Sequence, residues 1–182
     1  MRMLMTKRIC WVLLLAILAF AKAAQAGTIV LEPGRDSYLV HAVVDVLEDP
    51  DGRLGFAEVS REPPIVAFQQ YDVGQFSFGF TKSAYWFRFE VYNPASAPQN
   101  MMLVMRTAWL DNISLYQPDG AGGYRESRFG DSLPFHARLH PHPQFLIDLQ
   151  VAPGPQTYYL RVSSTQACLL YTSDAADDLL CV

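Results

Sequence analysis

The residues predict an all-β sandwich of about eight strands. Three observations carry this. Short runs rich in Val, Tyr, Phe and Thr recur along the chain, clusters of Pro, Gly, Asn and Asp separate them, and no long segment keeps a helical period. The clearest strand is Ala84–Tyr92, where Tyr85, Phe87, Phe89 and Val91 share one face and Trp86, Arg88, Glu90 and Tyr92 the other. Asn93-Pro94 ends it. Before it, Tyr38–Leu47 is strand-like, and Gly55–Ser60 reads as one helical turn after the loop Asp49-Pro50-Asp51-Gly52. After it, Met101–Met105 and Asp111–Gln117 read as strands, the second with Ile113 and Leu115 inward and Asn112, Ser114 and Tyr116 outward. Pro118-Asp119-Gly120 then turns the chain toward Tyr124. Two half-buried strands close the pattern: Phe145, Ile147, Leu149 and Val151 alternate with polar residues, and so do Tyr158, Leu160 and Val162 after Pro153-Gly154-Pro155. Nothing repeats internally, and no linker is long enough to separate a second domain.

Both ends read differently from the middle. Lys7 and Arg8 precede an apolar run from Ile9 to Phe20, and Ala24-Gln25-Ala26 follows, so residues 1–26 are expected to form a secretory signal peptide cleaved before Gly27. The alternative is an uncleaved anchor in the same compartment. An apolar run of about a dozen residues falls short of the ~20 that a spanning helix needs. At the other end, Cys168–Asp178 matches, in one reading frame, the translation of a transposase sequencing adapter. Residues 168–182 are therefore read as adapter-derived and set aside from the fold, and the gene is expected to continue beyond Ala167. The alternative is a genuine polar extension.

Residues 27–167 then hold no cysteine, since Cys10 lies in the signal segment and Cys168 and Cys181 in the tail. The expected domain needs neither disulfide nor metal: about 140 residues bury roughly two-thirds of their unfolded surface. Its 10 Lys and Arg stand against 15 Asp and Glu, a charge near −5 that disfavours nucleic acid as a partner.

Several stretches, taken together, resemble one family. Asp49–Gly52 matches an acidic loop, Gly79-Phe80-Thr81-Lys82-Ser83-Ala84-Tyr85-Trp86 a strand entry, and Arg88, Phe89, Asn93 and Pro94 its continuation. Leu110-Asp111, Leu115–Gly120, Gly122–Tyr124, Gly130-Asp131, Leu133-Pro134-Phe135, Arg138 and His142 follow in order, and Tyr159–Val162 closes the series. This order is similar to that of the second type of extracellular domain in seven-transmembrane receptors with diverse intracellular signalling modules. The resemblance implies a jelly-roll-like sandwich similar to carbohydrate-binding modules, a periplasmic position, and membrane helices with an output domain beyond Ala167. It also implies sensing: a small polar or carbohydrate ligand biases a tethered receptor, which works as a homodimer if its outputs act in pairs.

Sugar recognition needs an aromatic plate and planar polar groups. Trp109, with Arg106 and Asp111 beside it, is one candidate set, and packing at the core or rim is the alternative for this tryptophan. Trp86 and Arg88 are another, with Arg88 and Glu90 either lining a groove or forming a charge pair. His136, Arg138 and His140, near His142, offer polar contacts or a mild pH response. No metal or cofactor is expected: alternating histidines on a strand stand about 6.6 Å apart, too far to converge on one ion. The Asp49–Gly52 loop lacks the ligand series of a calcium site and reads as a turn. An enzyme is not expected either. Glu90, Asp111 and Asp148 are the carboxylates a glycoside-acting rival would use, and Gly130-Asp131-Ser132-Leu133 lacks the strand–turn–helix setting of a serine nucleophile. A secreted carbohydrate-binding or adhesion module is the third reading.

Overall fold

The computed structural model describes residues 27–61, 66–70, 77–164 and 167–169. The expected signal peptide lies outside the described residues, as does the tail from residue 170 onward. Eleven strands run through the described residues: β1 (Thr28–Val30), β2 (Asp45–Asp49), β3 (Gln69–Gln70), β4 (Ser77–Phe80), β5 (Ala84–Asn93), β6 (Gln99–Met105), β7 (Asn112–Pro118), β8 (Tyr124–Phe129), β9 (Phe145–Val151), β10 (Gly154–Ser163) and β11 (Ala167–Leu169). One short helix, α1 (Phe56–Val59), joins them.

The broad layer has the order β3-β2-β5-β10-β7-β8, with β1 running parallel to the second half of β5. The narrow layer is the antiparallel pair β6–β9. Their inner faces meet through the predicted alternation. Tyr85, Phe87, Phe89 and Val91 of β5, Ile113 and Leu115 of β7, and Tyr158, Leu160 and Val162 of β10 form one wall of the core. Met101, Leu103 and Met105 face Leu149, Ile147 and Phe145 across the β6–β9 ladder and form the other. A third pair, β4–β11, extends the molecule beside β5, where Phe78 stacks on Tyr85 with ring centroids 4.0 Å apart.

The all-β sandwich reading holds, with local corrections. The expected Tyr38–Leu47 strand is a 3-10 turn at Val40–Ala42 followed by β2, which starts only at Asp45. Tyr38 turns inward instead, and its hydroxyl accepts a bond from the Glu32 amide. The expected helical turn is present: Gly55 caps α1 and receives the Glu58 carboxylate on its amide.

The motif residues do structural work. Asn93 is buried and fully engaged: its amide nitrogen donates to the carbonyls of Ala97 and Val151, and its oxygen accepts from the Ala95 amide. It thereby ties the end of β5 to the end of β9 in the other layer. Asp119 accepts from the amides of Ala121 and Gly123, closing the β7–β8 hairpin, and those two bonds hold its carboxyl below the usual range. The Asp49 carboxylate accepts from the amides of Arg53 and Leu54, so its loop is a capped turn.

Candidate functional site

The outer face of the broad sheet is half covered. α1 lays Phe56 flat on Tyr116, with centroids 4.3 Å apart and planes 8° apart, and edge-on against Tyr159 at 5.5 Å. Leu47, Val59, Phe68, Trp86 and Tyr159 form a second apolar cluster beneath it. Beside this cover the sheet stays open. A cleft of about 460 Å³ lies there, within the range of small-molecule sites.

Sheet register builds its floor. Trp86 of β5 stands opposite Arg161 of β10, Arg161 opposite Ser114 of β7, and Ser114 opposite Arg128 of β8. Four strands thus contribute one row of side chains across the face. In the adjacent row Tyr159, Tyr116 and Glu126 are cross-strand neighbours. Leu54 and Gly55 form the rim on the α1 side, and Ser132 and Leu133 the rim beyond β8.

The charges in the cleft are unevenly matched. Arg128 grips Glu126 with two bonds, Nε to Oε1 at 2.9 Å and Nη2 to Oε2 at 3.2 Å. Tyr116 adds a hydroxyl bond to the same carboxylate at 3.2 Å. The Arg128 contact, first among several, holds the Glu126 carboxyl below its usual range, while burial and then the Glu126 charge push the Tyr116 phenol up. Arg161 differs. Its Nη2 donates to the Gly52 carbonyl at 3.1 Å, its guanidinium lies 5.9 Å from the Trp86 ring centre, and among the described residues no carboxylate pairs with it. Trp86 is fully buried, and its Nε1 has no hydrogen-bond partner.

Of the residues expected from sequence to form a site, only Trp86 lines this cleft. Arg88 is a structural ion: it reaches Asp45, its neighbour on β2, at 2.6 Å and lies over the Phe68 ring at 4.6 Å. Arg88 thus forms a cross-strand charge pair with Asp45, while Glu90 accepts from Thr28 of β1. Trp109 is 47% exposed in the connection between β6 and β7, so it is not a core residue. Arg106 is exposed in the same connection. The Asp111 carboxylate accepts from Ser164 at 3.3 Å, and its backbone carbonyl accepts from Ser132 at 2.6 Å.

The histidine stretch is a 3-10 turn at Phe135–Ala137 followed by bends. Arg138 organises it: the guanidinium lies over the rings of Phe135 and Phe145 and donates to the carbonyls of His142 and Pro143. His140 bonds Asp148 at 2.9 Å, and His136 is exposed. Among the described residues no group of three or more His, Cys, Asp or Glu is placed to hold a metal ion.

Sequence reasoning missed Arg161, Arg128 and Glu126. Their only signal was an outward position on alternating strands. Ser114 and Tyr116 were placed outward correctly, without being joined to a site.

Fold and cleft together define a class: a β-sandwich module with a polar, solvent-open cleft on one sheet face. Comparison with protein families makes the assignment specific. Residues 41–172 match the family described as 7TMR-DISM extracellular 2, and the chain belongs to that family. It is thus an extracellular sensor domain of a seven-transmembrane receptor, periplasmic in position. No curated protein matches the chain.

Proposed function

We propose that the domain senses a small polar molecule, carbohydrate foremost, in the outer-face cleft, and that binding there biases the membrane receptor to which the domain belongs. The observation that carries this reading is the row Arg161, Ser114 and Arg128, which places two planar guanidinium groups and a hydroxyl on one open surface, with the fully buried Trp86 closing the end of the row. Planar donors and hydroxyls suit the hydroxyl groups of a sugar.

Position supports a signalling role. Ser163 and Ser132 both line the cleft, Ser163 at the end of β10, and the next residue, Ser164, bonds Asp111. A ligand that pulls on this end is felt where the chain leaves the broad sheet. Such a shift needs only a differential affinity for two states. The role is one of binding without catalysis: the Ser132 hydroxyl is engaged with the Asp111 carbonyl and the Asn112 amide oxygen, and Asp148 and Glu90 each hold a structural partner.

The test is a saccharide and polar-metabolite screen by calorimetry on the purified protein, repeated with Ser114→Trp, which fills the cleft floor. Saccharide binding that Ser114→Trp abolishes is expected. Binding that survives this change moves the site elsewhere, and a screen in which no saccharide binds removes the carbohydrate reading.

A further inference from the structure

The geometry points to a narrower ligand class for this cleft: a small hydroxylated monoanion, such as a sugar acid or hydroxy acid, whose carboxylate docks on Arg161. The inference rests on the sensing reading above and deepens it. Its basis is the charge balance of the cleft. Arg128 and Glu126 satisfy one another through a bidentate pair, so their charges cancel locally. Arg161 is left as the one unmatched charge among the described residues lining the cleft. A guanidinium has five N–H donors, and the Gly52 carbonyl engages one of its nitrogens.

Covering the cleft with a neutral sugar would strip water from that guanidinium and return no opposite charge, which is unfavourable. The Trp86 face at 5.9 Å compensates only in part. A carboxylate matches the fork and restores neutrality. A doubly charged group would leave a surplus negative charge beside Glu126. The rest of the lining asks for hydroxyls: Asn112 and Ser163 add polar side chains to it.

The experiment is calorimetry on the purified protein with matched pairs, galacturonate against galactose and glucuronate against glucose, together with gluconate and lactate. The acids are expected to bind at least about tenfold more tightly than the neutral partners, and Arg161→Met to remove that preference. Two further variants change the cleft charge at exposed positions and guard against a misfolded Arg161→Met. Arg128→Gln frees the Glu126 carboxylate and should weaken acid binding about threefold, whereas Glu126→Gln frees Arg128 and should strengthen it by a similar factor. Neutral sugars should respond to neither. Neutral sugars that bind as tightly as the acids, with no opposite response in the two charge variants, overturn the monoanion and leave the sensing reading standing. If neither series binds at millimolar concentration, both fail.

Discussion

Tyr158 shows how position rather than residue type sets the chemistry of a group. Its ring stacks on Phe89 at 5.3 Å inside the core, and its hydroxyl reaches the Gln150 carbonyl at a long 3.4 Å. Burial, with Tyr124 adding to it, pushes the phenol up from 10.0 to about 12. The folded value lies above the unfolded one, so the stabilisation linked to this proton is complete below the unfolded value and is lost as pH rises through the folded value. It amounts to something on the order of 2 to 3 kcal/mol. Tyr158→Phe is therefore expected to flatten the alkaline fall in stability, with a change at neutral pH of about 1 kcal/mol or less. Urea titrations at about pH 9 and about pH 12 check this. A wild-type protein as stable at the higher pH as at the lower would refute it. Tyr85 and Tyr116, whose phenols are also raised, leave a smaller residual slope in the variant. Alternation had assigned Tyr158 to the inward face from sequence. It did not reveal that the hydroxyl would be left so weakly bonded, which depends on where β9 ends.

At the scale of elements, α1 has four residues, far fewer than the ~12 at which an isolated helix becomes even marginal in water. Tertiary contacts hold it. Phe56 stacks on Tyr116, tilts against Tyr124 at 4.9 Å and meets Tyr159 edge-on, so one side chain staples the helix to β7, β8 and β10. Phe56→Ala should lower stability by about 2 kcal/mol and release the Leu54-Gly55 rim of the cleft. Hydrogen exchange would then rise at the Val59 and Ser60 amides, which bond Gly55 and Phe56 in the intact turn. Unchanged exchange there would mean that another contact holds the helix. The loop after β8 is fixed differently. Gly130 has φ of 135°, and a Cβ there would collide with the Asp111 carbonyl oxygen, so the close approach that lets Asp131 and Ser132 bond Leu110 and Asp111 requires glycine. The Gly130-Asp131 motif was legible in the sequence, and its role as a loop-to-loop contact was not.

For the molecule as a whole, one core joins both layers. Residues from β1, β2, β5, β6, β7, β9 and β10 belong to a single buried cluster, and Asn93 crosses between the layers at one end. Neither layer can be exposed without opening that cluster. Urea unfolding followed by tryptophan fluorescence and by far-ultraviolet circular dichroism should give coincident transitions. Two separated midpoints would show the β6–β9 layer leaving first. The outer-face cluster behind α1 is smaller and distinct, and it carries the cleft. The proposed sensing surface lies on the smaller cluster and can therefore adjust while the main core stays packed, which suits a domain that must respond without unfolding.

Residue order alone settles the all-β class, the two faces of β5, β7, β9 and β10, the turns at Asp49 and Asp119, and the family, because alternation and turn chemistry are local. The cleft is a product of tertiary packing. A period of two says which face a residue takes and nothing about which strand will lie beside it, and the cleft exists because β10 inserts between β5 and β7. That single topological fact brings Arg161 between Trp86 and Ser114. The same dependence on neighbours keeps Arg88 out of the cleft, since β2 arrives with Asp45 directly opposite it. Long-range strand order is settled by burying the whole apolar face at once, and no window of the chain contains it.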